Sequence, residues 1–353
     1  MAIELKTVNE ADRELWDNLV HASPQGTIFH TWKWMDIVRK YSKSTFYPII
    51  GYNGTVPIGV YPLFAQKIFG MLCVFSPPPS MGIPYLGPAI ADYDKYKQSK
   101  RESISKGFQQ SIDKFIFSTL KAKYSLLLLG PAVDPRQYIW TGYKLEPYFD
   151  FFIDLRPGTE SIWKDFDKDA RDHIKKVASQ NLLEPRSIEI TDGSRNDLSG
   201  LFEALVRRYQ EQHRKVTVPK EYLLDIYDAF YPDNIRMFTV KYKGQNINGI
   251  LAITFRSTIS FWIGAPKPEI KEISSNEINH WEAIKWACEH NFSLYEEFGA
   301  GTERLSRSKS KYNPQLRTRF KAEKYSSSIY SWGAKGYDLF LRNGVGSLFT
   351  VKK

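Results

Sequence analysis

The sequence predicts a mixed α/β protein built as two tandem copies of one unit. Three observations carry this. The length of 353 residues exceeds one ordinary core and suits two domains. Hydrophobic periodicity gives the same order of elements twice: helices, three meander strands, a helix and a strand. Between the two runs, Asp154-Leu-Arg-Pro-Gly-Thr159 has the composition of a linker. The expected division is residues 1–150, residues 151–330, and a tail over 331–353 that packs back on the first domain.

In the first half, Leu15, Trp16, Leu19 and Val20 share one face of a helix over 9–21, and a second helix covers 31–41. The run from Thr45 to Tyr52 reads as a strand. Asn53-Gly54 is the strongest short hairpin signal, returning the chain through a strand over 56–67. Met71 to Ser76 is a third strand, followed by a proline-rich loop. Ile104, Phe108, Ile112, Phe115 and Leu120 keep a helical period over 103–121, and Ser125-Leu-Leu-Leu-Leu is a buried strand. In the second half, Thr159 can cap a helix over 160–178 whose last turn is basic. Ser194 and Asp197 have the spacing of a capping box ahead of the stripe Leu198, Leu201, Phe202, Leu205, Val206, Tyr209. Strands follow at 236–242, 246–256 and 258–264, then a helix over 275–290 carrying Ile278, Trp281, Ile284 and Cys288. Asn291 suits its C-terminal cap, and Ser293 to Phe298 closes the half.

Composition excludes several classes. Only Cys73 and Cys288 occur, which rules out a disulfide scaffold and a cysteine-based zinc site, and six scattered histidines give no metal-ligand spacing. No metal and no resident cofactor are therefore expected. The most apolar stretch, 68–91, is broken by five prolines and cannot form a membrane helix. The N-terminal residues lack the shape of a signal peptide, so a cytoplasmic location is expected. The net charge of +10 points to an anionic partner. It concentrates at 304–324, where Arg304, Arg307, Lys309, Lys311, Arg317, Arg319, Lys321 and Lys324 oppose only Glu323, a local +7. Arg304, Arg307, Lys311, Arg317 and Arg319 are the candidate nucleic-acid contacts. The alternative is a solvated basic loop with an edge strand.

The repeated order resembles the Gcn5-related N-acyltransferase (GNAT) fold, so the expected architecture is two tandem GNAT-like domains. In that fold the fourth and fifth strands splay apart and the gap holds the acyl donor. Ordinary members hold coenzyme A with a [Q/R]-x-x-G-x-[G/A] loop after the fourth strand. The corresponding places here read Ser76-Pro-Pro-Pro-Ser-Met-Gly and Gly264-Ala-Pro-Lys-Pro-Glu, and neither fits. Proline has no amide hydrogen to offer a phosphate.

Five stretches resemble the Fem-type aminoacyltransferases (FemABX) and related FemAB-like proteins. They are Gly26-Thr-Ile-Phe-His-Thr-Trp-Lys-Trp34, Tyr85-Leu-Gly-Pro88 with Asp92, and Trp163 with Ala170-Arg-Asp-His-Ile-Lys-Lys176. The other two are Phe261-Trp-Ile-Gly-Ala265, and Glu297-Phe-Gly with Arg307-Ser-Lys-Ser-Lys-Tyr-Asn-Pro314. The resemblance spans about residues 12–325. It implies transfer of an aminoacyl group from aminoacyl-tRNA to an amine of a phosphorylated, envelope-type precursor. Lys309 matches the lysine of the family's "F-K" segment and is implied to face the tetrahedral oxyanion; Ser308 replaces the usual phenylalanine, and a register slip of two would give the role to Lys311. Asp92 matches, one position late, an acidic residue suited to act as general base. Arg39, Lys40 and Arg214 fall where family members bind acceptor phosphates. Tyr222 and Trp262 fall where aromatics line an acceptor channel. Tyr85 and Arg171 belong to matched segments and are counted with the substrate contacts. Glu297 stands where the family has aspartate, and no long coiled-coil insert is present.

The expected partners are thus an aminoacyl-tRNA donor and a phosphorylated or lipid-linked acceptor, with peripheral membrane contact compatible with the latter. Two alternatives stand beside this reading. One is an acyl-thioester-dependent N-acyltransferase acting on an amino sugar in polysaccharide synthesis. The other is a non-catalytic RNA-binding module.

Overall fold

The computed structural model describes residues 3–184, 187–264, 270, 273–327 and 350–352. The first run of elements is β1 (Glu4–Thr7), α1 (Arg13–Ala22), α2 (Trp32–Tyr41), β2 (Thr45–Asn53), β3 (Val56–Ile68), β4 (Met71–Ser76), β5 (Ala89–Ile90), α3 (Gln98–Lys114), β6 (Tyr124–Leu129), α4 (Arg136–Trp140) and β7 (Lys144–Asp154). The second run is α5 (Thr159–Asp165), α6 (Lys168–Leu183), β8 (Ile188–Asp192), α7 (Arg195–Glu211), β9 (Arg214–Val216), α8 (Lys220–Phe230), β10 (Ile235–Tyr242), β11 (Gln245–Phe255), β12 (Thr258–Gly264), α9 (Ser275–Glu289), β13 (Leu294–Glu297), α10 (Glu303–Ser310) and β14 (Gln315–Tyr325).

These elements form two compact units. Unit 1 is Met1–Tyr148 with Thr318–Lys352, and unit 2 contains Phe149–Arg317. The expected linker, Asp154–Thr159, falls between β7 and α5, and the unassigned segment before it is strand β7, whose Phe151 and Ile153 are buried. The expectation for the tail at 331–353 lies outside the described residues, 350–352 excepted.

Unit 1 has the strand order β1-β2-β3-β4-β6-β14, antiparallel except where β4 and β6 run parallel. Unit 2 has the order β8-β10-β11-β12-β13-β7, with β12 and β13 as its parallel pair. Along these six-strand paths the two topologies are the same, and unit 1 adds β5, which pairs with β3 off its path.

Helices cover both faces of each sheet, so central strands are apolar on both sides. In unit 1, α3 seats Ile104, Phe108 and Ile112 against Ile49, Tyr61 and Leu127. On the other face Trp16 of α1 donates its indole hydrogen to the His30 carbonyl (2.7 Å) and meets Trp32 edge-on. In unit 2, the helix expected over 160–178 breaks at Phe166 into α5 and α6. Its start is capped by Gly158 in the left-handed region (φ 82°) instead of Thr159. The Ser194–Asp197 capping box forms as the spacing predicts. Helix α9 turns Ala283, Ile284 and Ala287 toward the sheet and leaves Trp281 half-buried. Two alanines let that helix approach closely, and the same face carries His280 inward.

Candidate active site

In unit 2, pairing between β12 and β13 runs from Thr258–Leu294 to Phe261–Glu297 and stops there. Strand β12 continues to Gly264. Within that continuation it bulges against β11, since Leu251 faces Ile263 and Ala252 faces Phe261, which makes Trp262 the extra residue. Bulges re-aim backbone and side chains and are common beside active sites. The parallel strands thus part at Glu297, leaving three residues of β12 without a partner on that side among the described residues.

Unit 1 has the equivalent parting, but its own chain fills it. Pairing of β4 with β6 ends at Ser76–Leu127. Beyond it, Leu86 bridges to Leu129 and donates its amide to the Leu128 carbonyl (2.8 Å). The Ser76 hydroxyl donates to Pro62 O (2.7 Å) and accepts from the Gly87 amide (3.1 Å). Tyr85 is buried with its ring over Gly130, where an added Cβ would come within 2.9 Å of it. Arg319 donates to Pro84 O (2.9 Å). The proline-rich segment is therefore a wedge that closes the gap in unit 1, whereas in unit 2 no described residue pairs with β12 on that side beyond Glu297.

At the parting in unit 2 sits a buried ionisable cluster. Glu297 lies 3.4 Å from Lys309 Nζ and 3.8 Å from His280 Nε2, both contacts being to the same carboxylate oxygen. Lys309 also donates to the carbonyls of Phe298 (2.5 Å) and Gly299 (3.1 Å). Its side chain is 12% exposed. The loop that carries these carbonyls is fixed: Gly299 N donates to Asp150 (2.7 Å), Ala300 N to Phe149 O (2.7 Å), and Thr302 caps α10. His280 shares a hydrogen bond with the Tyr295 hydroxyl (2.8 Å), stacks on Phe261, and lies 5.0 Å from the Tyr312 ring. Burial holds the His280 imidazole below its ordinary pKa; Glu297 acts against this and Lys309 and Lys311 act with it. A second layer surrounds the first. Ser260 donates to Glu296 (2.9 Å), and Arg317 lies 4.0 Å from Glu296 and over the Phe152 ring. Lys311 pairs with Glu277. Burial alone would raise the Glu277 carboxyl, but the Lys311 ammonium outweighs it and holds the group below the usual range.

The sequence-predicted residues scatter differently from one another. Lys309 occupies the parting itself. Tyr222 is fully buried and meets the buried Trp262, the bulge residue, edge-on at 6.5 Å. Arg214 lies over Tyr209, whose hydroxyl also feels Arg304. Arg171 donates to the carbonyls of Lys164 and Phe166, a capping role at the end of α5. In unit 1, Arg39 is exposed and pairs with Asp36, Lys40 lies over Tyr41, and Asp92 sits in the left-handed region paired with Lys95. The +7 run does not form one basic face. Lys309, Lys311, Arg317, Lys321 and Lys324 each meet a carboxylate distant in sequence, and Arg319 is only 3% exposed. Arg304 and Arg307 remain exposed on α10. Sequence reading passed over His280, Tyr295 and Tyr312, for a lone histidine in an apolar helix carries no spacing signal. The expected donor loop after β12 falls on residues 265–269, outside the described residues.

Residues 164–307 match the family model described as an acetyltransferase (GNAT) domain. In fold the chain is similar to FemX, at a TM-score of 0.65 and 13% identity over 90% of this chain and 96% of that one. The chain has the tandem GNAT fold. Other solved structures share it. A tandem GNAT protein from the clavulanic acid biosynthesis pathway aligns at a TM-score of 0.55 and 9% identity, covering 92% and 99% of the two chains. L-PGS from Bacillus licheniformis aligns at 0.54 and 13%, covering 92% and 96%. No curated protein matches the chain. Within the GNAT frame, β12 and β13 are the splayed fourth and fifth strands of the second unit, as the sequence resemblance implies.

Proposed function

We propose that the protein is a FemAB-like N-acyltransferase that moves an aminoacyl group from aminoacyl-tRNA to an amine on a phosphorylated or lipid-linked acceptor. The observation that carries this reading is the Lys309 ammonium held at the point where β12 and β13 part. Aminolysis of an ester requires three things there. A neutral amine attacks the carbonyl carbon, the oxyanion needs a positive partner, and the departing 3′ oxygen takes up a proton while the nitrogen loses one. Lys309 supplies the second: its contact to Glu297, at 3.4 Å, is longer than a hydrogen bond and leaves one N–H to turn to an oxyanion. The bulge at Trp262 lies at the same parting. An ester is already activated, so positioning accounts for much of the acceleration. Arg214, Arg304 and Arg307 suit a phosphate backbone or a phosphorylated acceptor. Asp92 is the carboxylate to which the resemblance gives the acceptor's proton.

The structural neighbours FemX and L-PGS support this reading at the level of fold. The test is transfer of labelled amino acid from a panel of charged tRNAs, with Lys309→Met and Asp92→Asn beside the wild type. Failure of every aminoacyl-tRNA to bind or react at modest salt removes the donor assignment. The match to an acetyltransferase domain favours a second reading, an acyl-thioester donor. A rise in melting temperature with acyl-CoA, and none with aminoacyl-tRNA, selects it.

A further inference from the structure

Three buried glutamines of unit 1 line one cleft, and the fold uses them differently. Gln25, Gln109 and Gln137 are 6%, 3% and 1% exposed. Gln25 is engaged at both ends of its amide: the nitrogen donates to the Ala132 carbonyl (3.3 Å), and the oxygen accepts from the Ile90 amide (3.0 Å). Gln137 donates to Asp134 in either orientation of its amide. Gln109 does neither. Among the described residues, neither its amide nitrogen nor its amide oxygen has a hydrogen-bond partner. Buried polar side chains are nearly always bonded, and an orphaned donor or acceptor destabilises the fold. Helix packing does not ask for glutamine here. Gln109 lies on the buried face of α3 with Phe108 and Ile112, where an apolar side chain would carry no such cost.

The cleft gives that amide something to face. It encloses about 290 Å³, part of it open to solvent. Pro88, Ile90, Phe108 and Val133 form apolar walls, and Ser105 and the Tyr61–Tyr138 pair add polar groups. The two tyrosine hydroxyls bond each other (3.2 Å). That bond uses one of their two protons, so the other is left to donate. The Ser105 hydroxyl donates to Tyr93 (3.3 Å) and keeps lone pairs to accept. Asp134, the charged residue of the lining, is already held. Arg136 reaches it through Nε at 3.1 Å and Nη2 at 2.6 Å. The lining thus combines an apolar slot, a donor–acceptor edge and a compensated charge, the make-up of a small-molecule site.

We propose that this cleft of unit 1 binds a small neutral molecule by an amide edge, its N–H and C=O pairing with the Gln109 side chain and its hydrocarbon lying against Phe108, Ile90 and Val133. A ring amide carries donor and acceptor on one side, as the Gln109 amide does, so the two hydrogen bonds form as one cyclic pair. A charged ligand is disfavoured, because a desolvated charge needs an opposite one and Asp134 is taken. Ligand clefts start at roughly 300 Å³, so this one suits a single small ring. The proposal concerns unit 1 alone and does not depend on which acyl donor is correct.

The experiment is thermal melting of the full chain titrated with δ-valerolactam. The matched control is N-methyl-δ-valerolactam, which lacks the N–H. The wild-type melting temperature rises saturably with the lactam, by about 3 °C at roughly ten times its dissociation constant, and does not rise with the control. Gln109→Leu, close to glutamine in volume, loses the response. Three results overturn the proposal: a wild type that shows no saturable rise with the lactam, a wild type that responds equally to the two compounds, or a Gln109→Leu protein that responds like the wild type. The comparison of the two compounds needs no variant, so it decides the question even if Gln109→Leu does not fold.

Discussion

Lys309 and Glu297 form a nearly buried pair whose value differs for stability and for chemistry. Removing one partner strands the other charge, which costs about 3–5 kcal/mol. Lys309→Met should therefore lower the melting temperature and reduce transfer by about 10²–10³-fold. The double variant Lys309→Met/Glu297→Gln should regain most of the stability and none of the activity. If it regains activity, the ammonium is structural and the proposed role fails. His280 gives a pH signature. Its imidazole holds a proton less tightly folded than unfolded. As acid is added the unfolded chain binds that proton first, so stability is full above the ordinary value of 6.5 and falls as pH drops below it. Melting curves between pH 7 and 5, above the range where carboxylates titrate, should show a slope that His280→Gln abolishes; an unchanged slope would assign it elsewhere. Lys309 was legible because it sits in a matched segment. His280 was not, because only the fold brings it beside Glu297.

The two parallel strand pairs part in the same way, at Ser76–Leu127 in unit 1 and at Phe261–Glu297 in unit 2, and in unit 1 the chain itself fills the parting. The filled gap depends on Ser76, which is fully buried and serves as donor and acceptor at once. Ser76→Ala leaves the Gly87 amide without that acceptor, a loss of about 1–3 kcal/mol. It should loosen the segment between β4 and β5, read as faster proteolytic cleavage at 77–90 with unit 2 unaffected. A cleavage rate equal to the wild type would mean the wedge is held by packing alone. Strands with clear alternation or clear apolar runs were legible: β12 is 258–264 as expected. Two elements were missed for identifiable reasons. Phe151-Phe152-Ile153 breaks the alternation of β7, which went unassigned, and a dense run of Arg, Lys and Ser concealed α10, whose helix is set by the Thr302 cap and by Lys309 reaching back to the Phe298 and Gly299 carbonyls.

At the scale of the whole chain, element order suggested two contiguous halves, and the pairing instead carries the last strand of the second half into unit 1. The strand that closes unit 1 beside β6 is β14, from the end of the second half, with Ala322 opposite Leu127 and Phe320 opposite Leu129. The strand that lies beside β13 in unit 2 is the end of β7, at the boundary of the two halves, with Phe151 opposite Glu297. Periodicity reports which segments are strands and says nothing of which partner each takes, so this placement was not legible. It has a consequence for fragments. A chain of residues 1–150 lacks β14 and bares the edge of β6, the run Tyr124–Leu129, all six of whose residues are buried in the full protein. An exposed apolar edge strand templates association with other chains. The fragment should therefore elute as oligomers or precipitate, whereas the same fragment with residues 315–327 joined through a flexible linker should elute as a monomer and melt cooperatively. A fragment 1–150 that is monomeric and melts cooperatively on its own would show that β14 is dispensable to unit 1. The site depends on the strand at the boundary of the halves, since the residue opposite Glu297 and the Asp150 carboxylate that holds Gly299 both come from β7. Shortening the chain between β7 and α5 should then disturb transfer before it disturbs the melting of unit 1.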